Sequence, residues 1–571
     1  MAKKPTTTPG NPQVVHGESD GLSVTAHRGD GSVMLAFDVE DKPTDALAGF
    51  AVKRTTPGGQ PRFLLNRLNF TQKITSATTP AAHKFTPTNE APFQKFRWVD
   101  FPPVVEDGEY LYEVTEMLFA SGGGLKTGRT TRVTFDLVPK TFPNFEMGFT
   151  RAFLSSQAYA DRFDNADIRP KGKKTFDYDT APFEKQYEWL GYHARKMVMG
   201  FLDEAVNDPA VTLDAFAYDL DEPDVIRKLS ALGPRLRLFL DNASLHTKDG
   251  AVEPLVQQLI EGTAGDDNVK VGHFKRFAHN KVFVLKRNGA PVKVLTGSAN
   301  FSVRGLYVQA NNVLVFDDPT VAGLFAQAFD QAFTDKSKSQ AHFAASPIAS
   351  KWHDIAVAGV PPCRVAFSPH QDSALSLDPV AKEVKNADNS VLFAIMELGG
   401  SGPVLDAVKA LDTQNVFTFG VTQTSAELKV FTPGSTKAKV VPFAFLDKKV
   451  PPPFNKEISG GQGQVVHHKF VVVDFNDSDP ILFTGSSNLA AGGEESNGDN
   501  LFAITDRGVV TSYAVEAVRL LDHYHFRAKM KAATKDDPLT LQGPDDEGPR
   551  WWEGYYDKAN IKFRERTVFA K

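Results

Sequence analysis

Short runs in which apolar and polar residues alternate, each closed by Gly, Asp or Pro, fill the chain from about 19 to 140. Leu22-Ser23-Val24-Thr25-Ala26, residues 32–38, 47–54 and 93–99, and Tyr110-Leu111-Tyr112-Glu113-Val114-Thr115 read as strands, and such a series predicts an all-β sandwich over 19–140. The period then changes. Residues 187–206 carry apolar side chains three and four apart, which predicts a helix. Beyond it one grammar is written twice. Ala215-Phe216-Ala217-Tyr218 precedes a helix around 225–232 and a strand at 236–240; Leu392-Phe393-Ala394-Ile395 precedes a helix around 404–411 and a strand at 416–419. Strands alternating with helices predict βαβ units in a mainly parallel sheet flanked by helices. Each copy ends in two apolar runs separated by turn residues, the pattern of a β-hairpin. The chain therefore divides into a flexible tail at 1–18, the sandwich at 19–140, and α/β halves at 141–355 and 356–571.

Composition narrows the picture. At 571 residues the chain exceeds one ordinary core, and 41% apolar with 23% charged residues describes a folded globular protein. A formal charge of −5 gives no whole-molecule attraction to nucleic acid or anionic membrane, so any basic surface must be local. The single cysteine, Cys363, excludes an intramolecular disulfide framework and a Cys-rich zinc site. No apolar run approaches the roughly 18 residues of a membrane span. The first ten residues lack the apolar core of a secretory leader, so the expected location is cytoplasmic, or exported without a cleaved signal.

The hairpins carry the chemistry. Residues 279–312 and 467–500, laid over each other without a gap, share ten of 34 positions, against roughly two expected from ordinary residue frequencies. His279 and Lys281 match His467 and Lys469; Ser298 and Asn300 match Ser486 and Asn488; Asn312 matches Asn500. Residues two apart in a strand share a face, so an imidazole, an ammonium, a hydroxyl and an amide converge at one end of each hairpin. That set lacks a carboxylate pair and a thiol. It suits a phosphate, whose oxygens take the Lys, Ser and Asn donors and whose phosphorus neutral imidazole can attack.

These residues resemble the paired HxK(x)4D…GSxN motif of the phospholipase D superfamily. The second copy matches in full with Asp474; the first has Lys286 in the acidic place. The resemblance implies duplicated phospholipase D-like α/β/α domains related by pseudo-twofold symmetry. It also implies an enzyme whose two imidazoles flank one ester, one attacking to form a phosphohistidine and the other protonating the departing oxygen. Lys281, Lys469, Asn300 and Asn488 would hold the non-bridging oxygens. No metal or other cofactor is implied. Family members often place a carboxylate one residue before the late Asn, where it orients the imidazole of the facing half. Asp499 fills that place in the second copy and Asn311 in the first, which makes His279 the expected nucleophile and His467 the expected general acid. The expected partner is a phosphodiester, a phospholipid first and nucleic acid as the alternative, with peripheral membrane contact and a monomeric state. A non-catalytic binding protein is a third class. The order of the N-terminal strands, with Tyr110 and Tyr112 near the end, is similar to a fibronectin type III or immunoglobulin-like domain. Trp551, Trp552, Tyr555 and Tyr556 are expected to pack across a domain seam, and His523 and His525 to lie on a helix face.

Overall fold

Alternation at the N-terminus builds two sheets with one shared apolar interior. A computed structural model describes residues 6–8, 11–78, 84–137, 142–152, 156–173, 175–396, 401–414, 416–423, 440–442 and 466–571. One antiparallel sheet runs Thr6–Thr8, Asn11–Ser19, Leu22–Arg28, Val33–Val39, Arg97–Asp100; the other runs Leu125–Asp136, Glu109–Phe119, Leu47–Thr55, Arg62–Phe63. Val24, Phe37, Val52, Tyr112 and Val133, one from each of five strands, lie in a single buried cluster, so the sheets meet as a sandwich. The expected tail at 1–18 is corrected here. Asn11–Ser19 pairs antiparallel with Leu22–Arg28, and Val14 and Val15 are buried. Asp20 and Gly21 both take positive φ, the two-residue turn that a right-twisted hairpin prefers, and this Asp-Gly pair was the overlooked signal.

The outer face of the first sheet lies against the rest of the chain. Met34 and Ala36 join the large core of the α/β region, the His27 ring Nε2 meets the Phe569 carbonyl at 2.8 Å, and Thr25 donates to the Ala570 carbonyl. The aromatic tail does pack across this seam. Trp552 and Tyr555 enter the sandwich interior, and Trp551 Nε1 donates to the Leu47 carbonyl at 3.1 Å. His523 and His525 lie on the helix Arg507–Ala532.

Two further sheets follow, and their strand orders correspond. The first runs Phe145–Phe149, Asn312–Phe316, Ala290–Gly297, Val282–Arg287, Val211–Ala217, Leu236–Asp241, Val269–Gly272. The second runs His353–Ile355, Cys363–Ser368, Asp499–Ile504, Ile481–Gly485, Lys469–Val473, Ser390–Ile395, Phe417–Thr422, Val440–Pro442. His353–Ile355 thus pairs at the edge of the second sheet. Neither sheet is mainly parallel. Only three strands run parallel in each, because the hairpins force antiparallel pairing on their neighbours. The strands Asn312–Phe316 and Asp499–Ile504 face one another across the seam, with the Phe316 and Phe502 rings stacked at 5.2 Å. That contact brings the polar ends of the two hairpins together. Among the described residues no helix is long and apolar enough to cross a membrane.

Candidate active site

His279 and Lys281 lie just before Val282–Arg287, and Ser298 and Asn300 just after Ala290–Gly297; His467, Lys469, Ser486 and Asn488 repeat this around Lys469–Val473 and Ile481–Gly485. The turn into each Ser needs glycine. Gly297 and Gly485 have φ of 141° and 155°, and a Cβ on either would collide with the carbonyl of Asn312 or Asn500.

That close approach sets up a brace. The Ser298 hydroxyl accepts from the Asn312 amide at 3.0 Å and donates to Asn311 Oδ1 at 2.8 Å; Ser486 accepts from the Asn500 amide at 3.0 Å and donates to Asp499 Oδ1 at 2.7 Å. Each braced side chain then reaches into the opposite half. His279 Nδ1 donates to Asp499 Oδ1 at 2.7 Å, and His467 Nδ1 donates to Asn311 Oδ1 at 2.8 Å. With Nδ1 engaged, Nε2 is the ring nitrogen left for chemistry on both imidazoles. More contacts cross the seam: Asn500 Nδ2 donates to Asn280 Oδ1 at 2.8 Å, and Thr296 Oγ1 to Asn500 Oδ1 at 3.3 Å. The serines depart from expectation. Both are fully buried with their hydroxyl protons committed to residues 311 and 499, so they position side chains rather than present donors to a phosphate.

The lysines are buried beside their histidines. Lys469 Nζ donates to the His467 carbonyl at 2.8 Å, and Lys281 Nζ to the His279 carbonyl. Burial brings Lys281 down to about 8 and holds Lys469 well below the ordinary amine range, where the Lys281 charge lowers it further. Burial also lowers both imidazoles. Asp499 partly offsets this for His279, whereas Lys469 and Lys281 add to it at His467. Groups from the two halves thus act on each other's protonation, and the cluster is short of negative charge. Asn300 is buried and Asn488 half-buried, each with a carbonyl oxygen that meets no donor among the described residues.

The acidic place of the motif serves the fold. Asp474 accepts the amides of Asp388, Asn389 and Ser390 at 2.9, 2.8 and 2.8 Å, fixing the entry to Ser390–Ile395. In the first half Lys286 instead pairs with Asp214, which also holds Arg237. Behind these groups stands a further set of hydrogen-bonded side chains that the motif does not include. Asp241 accepts the Ala278 amide at 2.5 Å and His246 Nδ1 at 2.7 Å; His246 Nε2 meets Asp219 Oδ1 at 2.8 Å; and Asn300 Nδ2 donates to the other Asp219 oxygen. The Tyr218 ring stands edge-on to His279 at 4.8 Å. Asp241 closes one parallel strand, and Tyr218-Asp219 follow another, the places where open α/β sheets gather ligand groups, and that was the available signal.

A family model described as "Cardiolipin synthase, PLD-like domain" matches residues 211–333 and 380–521, one segment around each hairpin. The Phospholipase D of Rickettsia typhi (strain ATCC VR-144 / Wilmington) is 31% identical over 111 residues, 19% of this chain and 48% of that protein. The Phospholipase D of Rickettsia prowazekii (strain Madrid E) is 33% identical over 112 residues, again 19% and 48%. The chain spans about half the length of these curated relatives. Phosphatidylserine synthase of Haemophilus influenzae Rd KW20 is similar in structure with a TM-score of 0.42 and 12% identity, covering 58% of this chain and 85% of that one. The family match and the Rickettsia relatives support the phospholipase D superfamily for this chain.

Proposed function

We propose that this chain is a phospholipase D-type phosphodiesterase that hydrolyses a phosphodiester, of phospholipids in the first place, through a phosphohistidine on His279. The observation that carries the reading is the crossed pair of contacts, His279 to Asp499 and His467 to Asn311. Each imidazole is oriented by the opposite motif, but only one receives a carboxylate. The Asp499 charge supports the positive charge that builds on His279 as its Nε2 attacks phosphorus, so attack falls to His279. The bond from phosphorus to the leaving oxygen breaks, and His467 Nε2–H supplies the proton that oxygen needs. A bound phosphodiester anion raises the proton affinity of His467 against the two lysines, so the acid is charged when it is used. Water then gives a proton to His467 and attacks the phosphohistidine; the P–N bond breaks and His279 returns. Lys281, Lys469, Asn300 and Asn488 hold the non-bridging oxygens.

The matching strand orders, with the repeated motif, support an internal duplication with a pseudo-twofold axis between the halves. The N-terminal unit, read as fibronectin type III- or immunoglobulin-like, is built into the enzyme through the 551–556 segment. Incubating the protein with phosphatidylcholine vesicles and, separately, with single-stranded DNA, without added metal, tests the substrate class, with His279→Ala as the control. Release of head group by the unsubstituted protein alone supports the lipid reading. DNA cleavage without lipid hydrolysis replaces it with a nuclease, and silence on both favours a binding protein.

A further inference from the structure

Beside the paired motifs lies a second constellation that phosphodiester cleavage leaves unused. Asp219 follows the strand Val211–Ala217, His246 sits on the short helix Ser244–Thr247, and Glu253 opens the helix Glu253–Ala264. One carboxylate oxygen of Asp219, one ring nitrogen of His246 and one carboxylate oxygen of Glu253 lie within 4.8 Å of one another. Their arrangement is fixed from behind. Asp241 Oδ2 takes His246 Nδ1 at 2.7 Å and the Ala243 amide at 2.9 Å, while its other oxygen takes the Ala278 amide. The ring is therefore held with Nε2 between two carboxylates, 2.8 Å from Asp219 Oδ1 and 4.0 Å from Glu253 Oε1.

Three electron-rich atoms meeting at one corner repel unless something positive joins them. A proton on Nε2 serves Asp219 but not Glu253, which is too distant for a hydrogen bond. Glu253 is only 8% exposed, and among the described residues no side-chain hydrogen-bond donor reaches its carboxylate. A buried carboxylate aimed at two other ligand atoms, with only the His246 ring it shares with Asp219 to offset its charge, is better served by a cation among all three. We propose that Asp219, His246 and Glu253 bind one divalent transition-metal cation, Zn²⁺ or Mn²⁺, with Asp241 orienting the imidazole.

The donor set supports this assignment. One imidazole and two carboxylates suit cations of borderline hardness, and a carboxylate on the far nitrogen of a ligating His is the usual support for such a ring. The place in the fold gives the ion a structural task. Asp219 passes its second oxygen to Asn300, and Asp241 holds the amide next to His279. The cation thus ties both ends of the first motif without touching the attack on phosphorus. Binding is read without turnover, so the outcome does not depend on the phosphodiesterase proposal.

The test uses the full chain, stripped with a chelator and dialysed against Zn²⁺, with the metal retained measured per chain. One Zn²⁺ is expected, with affinity reduced at least 100-fold in Glu253→Gln and in His246→Gln, and about 10-fold or more in Asp241→Asn. Pulsed electron paramagnetic resonance of Mn²⁺ bound to the unsubstituted protein should show one coupled imidazole nitrogen. No stoichiometric metal, affinity unchanged by Glu253→Gln, or a Mn²⁺ spectrum without that nitrogen would overturn the site. Because the spectrum needs no variant, a substitution that unfolds the protein leaves the proposal testable.

Discussion

Replacing Asp499 by Asn keeps an oxygen to accept from His279 Nδ1 and from the Ser486 hydroxyl while deleting one charge. The protein shows that its fold accommodates an amide there, since Asn311 does the same work for His467 and Ser298. The effect should therefore be electrostatic. With the contact at 2.7 Å, the centre of charge on a reacting imidazole lies about 4–5 Å from the carboxylate, and a full unit charge at that separation is worth about 4 kcal/mol at an effective dielectric constant of about 20. A transition state that develops between half and all of this charge loses roughly 2–4 kcal/mol, about 30- to 1,000-fold in kcat. KM should change little, because Asp499 faces the imidazole rather than the phosphate oxygens. Steady-state kinetics on a chromogenic phosphodiester across pH would read both quantities. There is a second expectation with a definite sign. Asp499 raises the His279 pKa against burial, and His279 must be unprotonated to attack, so the acid limb of kcat/KM should move to lower pH in the variant. A loss below about threefold, or an acid limb that stays or moves upward, would rule out a charge effect of Asp499 on His279.

Three other outcomes follow from the same contacts. Lys281, held at about 8 by burial, loses its charge above that pH, so kcat/KM should fall on the basic side, and Lys281→Arg, which stays charged, should push that limb upward whatever its absolute rate. His27 is buried and brought down to about 4, against 6.5 when exposed, so the unfolded chain takes up a proton that the folded one refuses; stability is fully present above pH 6.5 and falls by about 3 kcal/mol as pH drops toward 4, and urea midpoints should show that loss reduced in His27→Gln. Trp552→Ala removes a ring from the sandwich interior and should cost about 3–5 kcal/mol in denaturant unfolding, with early proteolysis within the sandwich.

The motif half of the site was legible because its spacing is rigid. A hairpin fixes how far Ser and Asn follow His, and the glycine before each Ser must let a strand pass close behind it, so ten matching positions survive in a window of 34. The crossed contacts of Asp499 and Asn311 could be anticipated from their place beside the late asparagines. The direction of the Ser298 and Ser486 hydroxyls could not, since a face of a strand says nothing of which neighbour takes a proton. Asp219, His246 and Asp241 were missed for a related reason: they come from the ends of two strands distant in sequence, Asp219 after Val211–Ala217 and Asp241 with His246 at the end of Leu236–Asp241, joined only by the parallel packing of those strands. The sheets were read as mainly parallel because alternating strands and helices were weighed above the hairpins, whose two strands must run antiparallel. The strand at Asn11–Ser19 was lost to a tail because the polar residues around Val14 and Val15 masked an Asp-Gly turn.

On the proposed mechanism His279, and not its counterpart, becomes bonded to phosphorus. Rapid acid-free quenching of the unsubstituted protein during turnover of a radiolabelled phosphodiester, followed by peptide mapping, tests it directly. The label should reside on the peptide carrying His279 and be absent from His279→Ala. Label on His467, or turnover without any protein-bound phosphorus, would rule out attack by His279.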